Sequence, residues 1–227
     1  MKETYFFSTL GKPDSPHFRF PSLEDYLDSY IEPLGERLKK HYVCLRKSLS
    51  FYRPKTLGEA TASYALLPEE TVAEIVRLNP RIKRIIMLRD PVERAWSHAK
   101  KTLVRGRNEP VGFEKFRAYF ETSGQKQRAG YSAMVALWKK HLAPGHLYIG
   151  RYDRIASAPK ALLEEMERFL GVTTKALYFN RHLTIKLNPT SEEAMPAEVR
   201  GFLEEFLAAE IASYRELLKD IGEGMAV

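Results

Sequence analysis

Apolar residues recur along the chain with two different periods. Between residues 84 and 88 they are continuous, as Ile85, Ile86, Met87 and Leu88, which suits a parallel strand covered on both faces. The period then changes. Val92, Ala95, Trp96, Ala99 and Leu103 recur at three and four, the spacing of a helix with one buried face. Asp90 stands where an N-cap belongs, Pro91 at the first helical position, and Glu93 completes a D-x-x-E box, so a strand, a tight turn and a helix are expected in succession. Upstream, a helix over 68–78 with Val72, Ile75, Val76 and Leu78 inward ends at Asn79-Pro80 and leads into that strand. Strand, helix and strand at this spacing imply a βαβ unit and a parallel sheet.

The rest of the chain follows the same two periods. A short strand is expected over 2–7 with Tyr5 and Phe7 packed inward, then a Pro- and Gly-containing loop over 11–21. A capping box at Ser22 and Asp25 starts a helix to about residue 30, a second helix runs from after Pro33 to about 42, and 46–55 is basic and aromatic without a clear period. A helix over 113–120 carries Phe113, Phe116 and Phe120, and another opens at Gly130-Tyr131 and reaches 141 with Tyr131, Met134, Val135 and Trp138 inward. A strand over 146–150 leads through R-Y-D-R-I to a helix over 159–170 capped by Gly171. One long amphipathic helix is expected over 195–218; its spacing suits packing on its own sheet and is also compatible with a homodimer contact. The expectation is a single α/β domain over 1–227, a parallel sheet flanked by helices.

Composition narrows the partners. At 227 residues, 44% hydrophobic and 29% charged, the chain suits a globular domain with a sizeable core. No run approaches the ~18 apolar residues of a membrane span, and the first seven residues are too short an apolar stretch for a signal peptide. The single cysteine, Cys44, allows no intrachain disulfide and fits a reducing, cytoplasmic setting. The six histidines show no metal-ligand spacing. Residues 81–107 carry Arg81, Lys83, Arg84, Arg89, Arg94, Lys100, Lys101, Arg105 and Arg107 against Asp90 and Glu93, an excess as large as the whole chain's +7. Such a basic crevice suits a compact polyanion, a nucleotide phosphate or a sulfated sugar. Nucleic acid fits less well, since no helix-turn-helix signature, zinc finger or basic tail accompanies the charge.

The segment L-R-D-P-x-x-R-A-x-S-H over 88–98 closely resembles the 3′-phosphate-binding segment of sulfotransferases, in particular the carbohydrate and heparan-sulfate type. That family moves a sulfuryl group from 3′-phosphoadenosine 5′-phosphosulfate (PAPS) to a hydroxyl or amine on a P-loop-like fold. The resemblance implies that Arg89 and Ser97 hold the 3′-phosphate. A guanidinium grips phosphate oxygens bidentately, and a hydroxyl adds a neutral donor. T-L-G-E-A-T-A-S-Y over 56–64 resembles the family's G/V-E-K-T-P-x-Y segment. It puts Glu59 at the general base, with Thr61 and Tyr64 matching and Ala60 and Ala62 standing where the family has Lys and Pro. K-E-x-x-F-F over 2–7 resembles the family segment that carries Lys-Glu near the donor. Gly130-Tyr131 falls where the family has a tyrosine near the nucleotide, although a core tyrosine is the other reading. The polar loop over 179–191 takes the place of the family loop that closes over the nucleotide, and Arg181 and Lys186 are its expected contacts.

The family's other nucleotide element, a strand–loop–helix of the form G-x-x-K/R-x-G-T/S-T/S, has no match among these residues. Gly11-Lys12-Pro13 and Gly222-Glu-Gly224 both lack its pattern. Backbone donors of that loop would cradle the 5′-phosphosulfate. Without that loop, transfer activity of this chain is expected to be in doubt. The alternative is a non-catalytic nucleotide- or polyanion-binding relative that keeps the 3′-phosphate half-site.

Overall fold

The N-terminal segment expected as a strand is a turn followed by a short helix, α1 (Phe6–Thr9). The computed structural model describes residues 3–31, 33–49, 51, 56–104, 111–172, 194–221 and 224–226. The chain divides into two units, Met1–Thr71 and Val72–Val227. In the first, Glu3 and Tyr5 take left-handed backbone angles, φ 56° and 59°, which break the alternation of a strand. Thr4, Phe6 and Thr9 are the buried residues instead of Tyr5 and Phe7. Tertiary packing decides this: the Phe6 ring stacks on Tyr26 at 4.4 Å, and the Glu3 N–H donates to Ala60 C=O at 2.9 Å.

Helix α2 (Leu23–Asp28) begins at Ser22, whose side chain accepts from the Asp25 N–H, as its capping box predicts. Helix α3 (Leu34–Ser48) runs well past the expected end near residue 42. A 3₁₀ turn over Ala62–Leu66 presents Tyr64 to an aromatic cluster with Phe6, Phe7, Phe20 and Tyr26. Among the described residues no strand precedes the next helix, so the strand–helix–strand unit expected there is not seen among them.

Helix α4 (Glu69–Leu78) buries Val72 and Ile75 and leaves Leu78 exposed. Strand β1 (Arg84–Leu88) passes through Asp90 into α5 (Pro91–Ala99), continued by a wider π-type turn over Lys100–Val104. The Asp90 side chain accepts from the Glu93 N–H at 3.0 Å. Helices α6 (Phe113–Thr122), α7 (Gln125–Ala129) and α8 (Tyr131–His141) follow. Strand β2 (Leu147–Arg151) pairs in parallel with β1, Arg84 opposite Leu147 and Leu88 opposite Arg151. Gly150 is required here, because a Cβ would sit 2.9 Å from the Tyr148 ring and 3.1 Å from Met87 Sδ.

After β2 come α9 (Arg154–Ser157) and α10 (Pro159–Leu170), the latter ending on Gly171 at φ 73°, as a left-handed cap requires. The last helical stretch is two helices, α11 (Ala197–Phe206) and α12 (Ala208–Ile221), parted at Leu207. Val199, Leu203, Leu207 and Ile211 all enter one core with Val92, Trp96, Phe116 and Phe120. Residues four apart drift by about 40° per step on a straight helix. The break at Leu207 lets all four face the same core. A final strand, β3 (Gly224–Ala226), not expected from the sequence, pairs antiparallel with β2. The parallel pair therefore sits in a mixed sheet of order β1-β2-β3.

Candidate active site

The first unit builds its chemistry around one carboxylate. Tyr26 OH donates to Glu59 Oε1 at 3.0 Å, and Thr4 Oγ1 donates to Oε2. Thr61 Oγ1 reaches Oε2 at 3.4 Å. Behind these, Thr4 Oγ1 and Tyr64 OH are 3.2 Å apart, Tyr64 OH accepts from the Phe7 N–H at 3.2 Å, and Tyr26 and Tyr30 share a hydrogen bond of 3.1 Å. Burial pushes the phenol pKa values of Tyr26, Tyr30 and Tyr64 up, and the Glu59 charge adds to the rise. The three stay neutral donors. Glu59 itself is half-buried. A carboxylate held by hydroxyl donors in an aromatic surround is equipped to accept a proton at a fixed place.

The second unit builds its chemistry around cations. Arg89 lies at the carboxyl end of β1, where anion ligands collect in open α/β sheets. Its guanidinium lies 4.8 Å from the Tyr152 ring centroid, and the Tyr152 N–H donates to Leu88 C=O at 2.7 Å. The R-Y-D-R-I turn thus props the site as well as continuing the sheet. Tyr131 OH donates to the Arg89 carbonyl at 2.9 Å. The hydroxyl of Tyr131 therefore holds the backbone on which Arg89 stands. Ser97 is half-buried two turns into α5.

Arg94, Gln125 and His98 form a relay beside α5. Arg94 Nη2 donates to the Gln125 backbone carbonyl and to its Oε1, both at 3.1 Å. Gln125, 1% exposed, has its Nε2 3.0 Å from His98 Nδ1, and Tyr119 OH lies 2.7 Å from the same nitrogen. Burial first, and then the charges of Arg128, Arg94 and Lys101, hold the His98 pKa below the ordinary imidazole value. The ring is neutral at pH 7 and accepts at Nδ1. Burial and the neighbouring Arg128 and Arg89 act to lower the Arg94 pKa. The Nε atoms of Arg94 and Arg128 are buried without a hydrogen-bond partner. The charges of Arg128 and Arg89 are felt at Arg94, and such a cationic cluster suits a multiply charged anion.

Of the site residues expected from sequence, Arg89, Ser97 and Tyr131 fall on the strand–turn–helix and its neighbour α8, and Glu59 lies in the first unit. Lys2, Arg181 and Lys186 lie outside the described residues. Thr4, Tyr26 and Gln125 were not legible. Gln125 sits on a five-residue helix with no period of its own, and the two hydroxyls become partners of Glu59 only through folding.

Comparisons with known proteins bear on the family and the fold. A family model described as "Sulfotransferase family" matches residues 35–176. Mouse heparan sulfate glucosamine 3-O-sulfotransferase 3B1 is 31% identical over 154 residues, 60% of this chain and 39% of the relative. Human heparan sulfate glucosamine 3-O-sulfotransferase 6 is 29% identical over 158 residues, 60% of this chain and 45% of the relative. The chain thus spans less than half the length of these curated relatives. A crystal structure of a sulfotransferase from Alicyclobacillus acidocaldarius superposes with a TM-score of 0.60 at 24% identity, covering 96% of this chain and 83% of that one. That likeness is one of fold.

Proposed function

The chain belongs to the sulfotransferase family, and from that premise we propose that it serves transfer of a sulfuryl group from PAPS to a carbohydrate hydroxyl. The observation that carries the reading is the strand–turn–helix at 84–99. It ends β1 on Arg89, spends the nearby Asp90 carboxylate on the helix cap, and gathers Arg94 and Arg128 with buried donor atoms still free. Arg89 and Ser97 bind the donor's 3′-phosphate, Tyr131 positions Arg89 through its carbonyl, and Arg181 and Lys186 add nucleotide contacts from beyond the described residues. The donor supplies an activated sulfuryl group and leaves as adenosine 3′,5′-bisphosphate. Glu59 takes the proton of the attacking hydroxyl, held for that purpose by Tyr26, Thr4 and Thr61. A sugar hydroxyl as acceptor is supported by the relatives named for 3-O-sulfation of heparan sulfate glucosamine.

Calorimetric titration with adenosine 3′,5′-bisphosphate tests the nucleotide half of this reading. Saturable binding is expected, weakened by about tenfold to a hundredfold in Arg89→Ala, the range for losing hydrogen bonds to a charged group. A folded chain that does not bind, or an Arg89→Ala variant that binds as well as the parent, would remove the 3′-phosphate assignment. Turnover with PAPS then separates a transferase from a relative that only binds nucleotide.

A further inference from the structure

Helix α3 turns an apolar stripe to solvent. Leu34, Leu38, Tyr42 and Leu45 recur at helical spacing on one face and are 72%, 58%, 64% and 45% exposed. Ile31, Leu49 and Phe51 continue the apolar stretch beyond the helix ends, also exposed. Monomeric soluble proteins rarely leave so many large apolar side chains together in water. The helix also ends on Leu49 in a left-handed conformation, φ 50°, where glycine is the usual residue.

The borders of the stripe decide what covers it. Arg37 lies along one edge and Lys39 and Arg46 along the other, by helical position. The helix carries Arg37, Lys39, Lys40, Arg46 and Lys47 against one carboxylate, Glu36, which pairs with Lys39 at 2.8 Å. A second copy laid on this stripe, parallel or antiparallel, would set cationic border against cationic border, the arrangement that specific helix pairs avoid. A surface of anionic headgroups over acyl chains complements both features at once. Among the described residues no helix is long and apolar enough to cross a membrane, so the contact is one of lying on the surface.

We propose that α3 docks this protein on anionic lipid surfaces, with Leu34, Leu38, Tyr42 and Leu45 entering the headgroup–acyl boundary and the flanking Lys and Arg side chains meeting the headgroups. The test is flotation of the whole chain with phosphatidylcholine vesicles, with and without phosphatidylserine, beside light scattering in solution. Binding is expected only where phosphatidylserine is present. The double change Leu38→Ser and Leu45→Ser is expected to weaken it by roughly a hundredfold. Lys39→Gln with Arg46→Gln should weaken it by about tenfold or more. All four side chains are exposed, and far-UV circular dichroism checks that the variants keep their fold. A Tyr42→Trp reporter should shift its emission to the blue on the same vesicles, against the buried Trp96 and Trp138. The proposal is overturned by absence of binding, by binding that ignores the stripe variant, or by a reporter that stays unshifted on bound vesicles. A dimer in solution that the Leu38→Ser and Leu45→Ser variant dissociates would also overturn it, giving the stripe to a second copy.

Discussion

The fold treats Glu59 and the cations beside Arg89 in opposite ways. Glu59 is surrounded by hydroxyl donors from Thr4, Tyr26 and Thr61, with Thr4 backed by Tyr64 and Tyr26 by Tyr30 and the Phe6 ring. Around Arg89 the cations Arg94 and Arg128 keep buried Nε donors without partners, and neighbouring charges act on Arg94. A group that must stay put and accept a proton is surrounded by donors from its own chain. A receptor for an anion must leave its donors unspent, and strain among like charges is relieved when the anion arrives. The proposed base and the proposed anion receptor thus differ in how completely their hydrogen bonds are used.

Substitutions that touch one side only should divide the function cleanly. Glu59→Gln is expected to lower turnover by about 10²–10⁴-fold, the usual worth of a general base, while the calorimetric affinity for adenosine 3′,5′-bisphosphate stays at the parent value. Loss of nucleotide binding in that variant would break the division. A charge pair of a third kind supplies the control. Arg154, 5% exposed, donates to both oxygens of Glu165 at 2.7 Å, and Tyr148 OH adds a third bond at 2.8 Å. Glu165→Ala removes the paired carboxylate from that buried guanidinium and should cost about 3 kcal/mol of stability in chemical denaturation, with nucleotide affinity at native conditions unchanged.

The same pair has a pH signature. Hydrogen bonds from Arg154 hold the Glu165 carboxyl below its ordinary value of 4.5. Its contribution to stability is present above that value and is lost as pH falls through the lowered native one. Denaturation midpoints followed through the acid range should show this loss in the parent and not in Glu165→Ala.

A smaller effect is expected inside the carboxylate cluster. Tyr26→Phe removes one donor to Glu59 and should cost about 1.5–3 kcal/mol, as for a hydrogen bond to a charged group. Tyr30→Phe, one bond further out, should cost about 1 kcal/mol or less. Equal costs at the two positions would show that the cluster is not graded toward Glu59. The smallest effect belongs to His98. Its pKa lies below the ordinary 6.5 through burial and the charges of Arg128, Arg94 and Lys101. The unfolded chain therefore takes up the proton first, and stability declines as pH falls below about 6.5. His98→Gln should flatten that decline in midpoints measured from pH 8 to 5.5.

Much of this architecture was readable in the order of residues because the signals are local. Asp90, Pro91 and Glu93 cap α5 by contacts within one turn, Gly171 ends α10 because its φ needs no Cβ, and the burial of Val92, Ala95, Trp96, Ala99 and Leu103 follows from period alone. Arg89 and Glu59 were found through segments whose residue types and spacing resemble a family. What misled was wherever a distant partner outweighed a local preference. The segment over 2–7 alternates like a strand but turns to lay Phe6 on Tyr26. The stretch over 195–218 has the period of one helix but breaks at Leu207 to keep its apolar residues on one core.

The sequence by itself determined the caps, the central strand and the helix faces, because each depends on neighbours a few residues away, and it picked out Glu59 and Arg89 by the residue types around them. Only the tertiary structure decided that Glu59 would be held by Thr4 and Tyr26, that Tyr131 would spend its hydroxyl on the Arg89 carbonyl, and that Gln125 would join Arg94 to His98. It also decided that β3 would close an edge of the sheet. Those contacts join residues 27 to 55 positions apart, and 74 or more for the strand. A hydrogen bond over such a separation has no period and no local preference to announce it; it exists only once packing has brought donor and acceptor within reach.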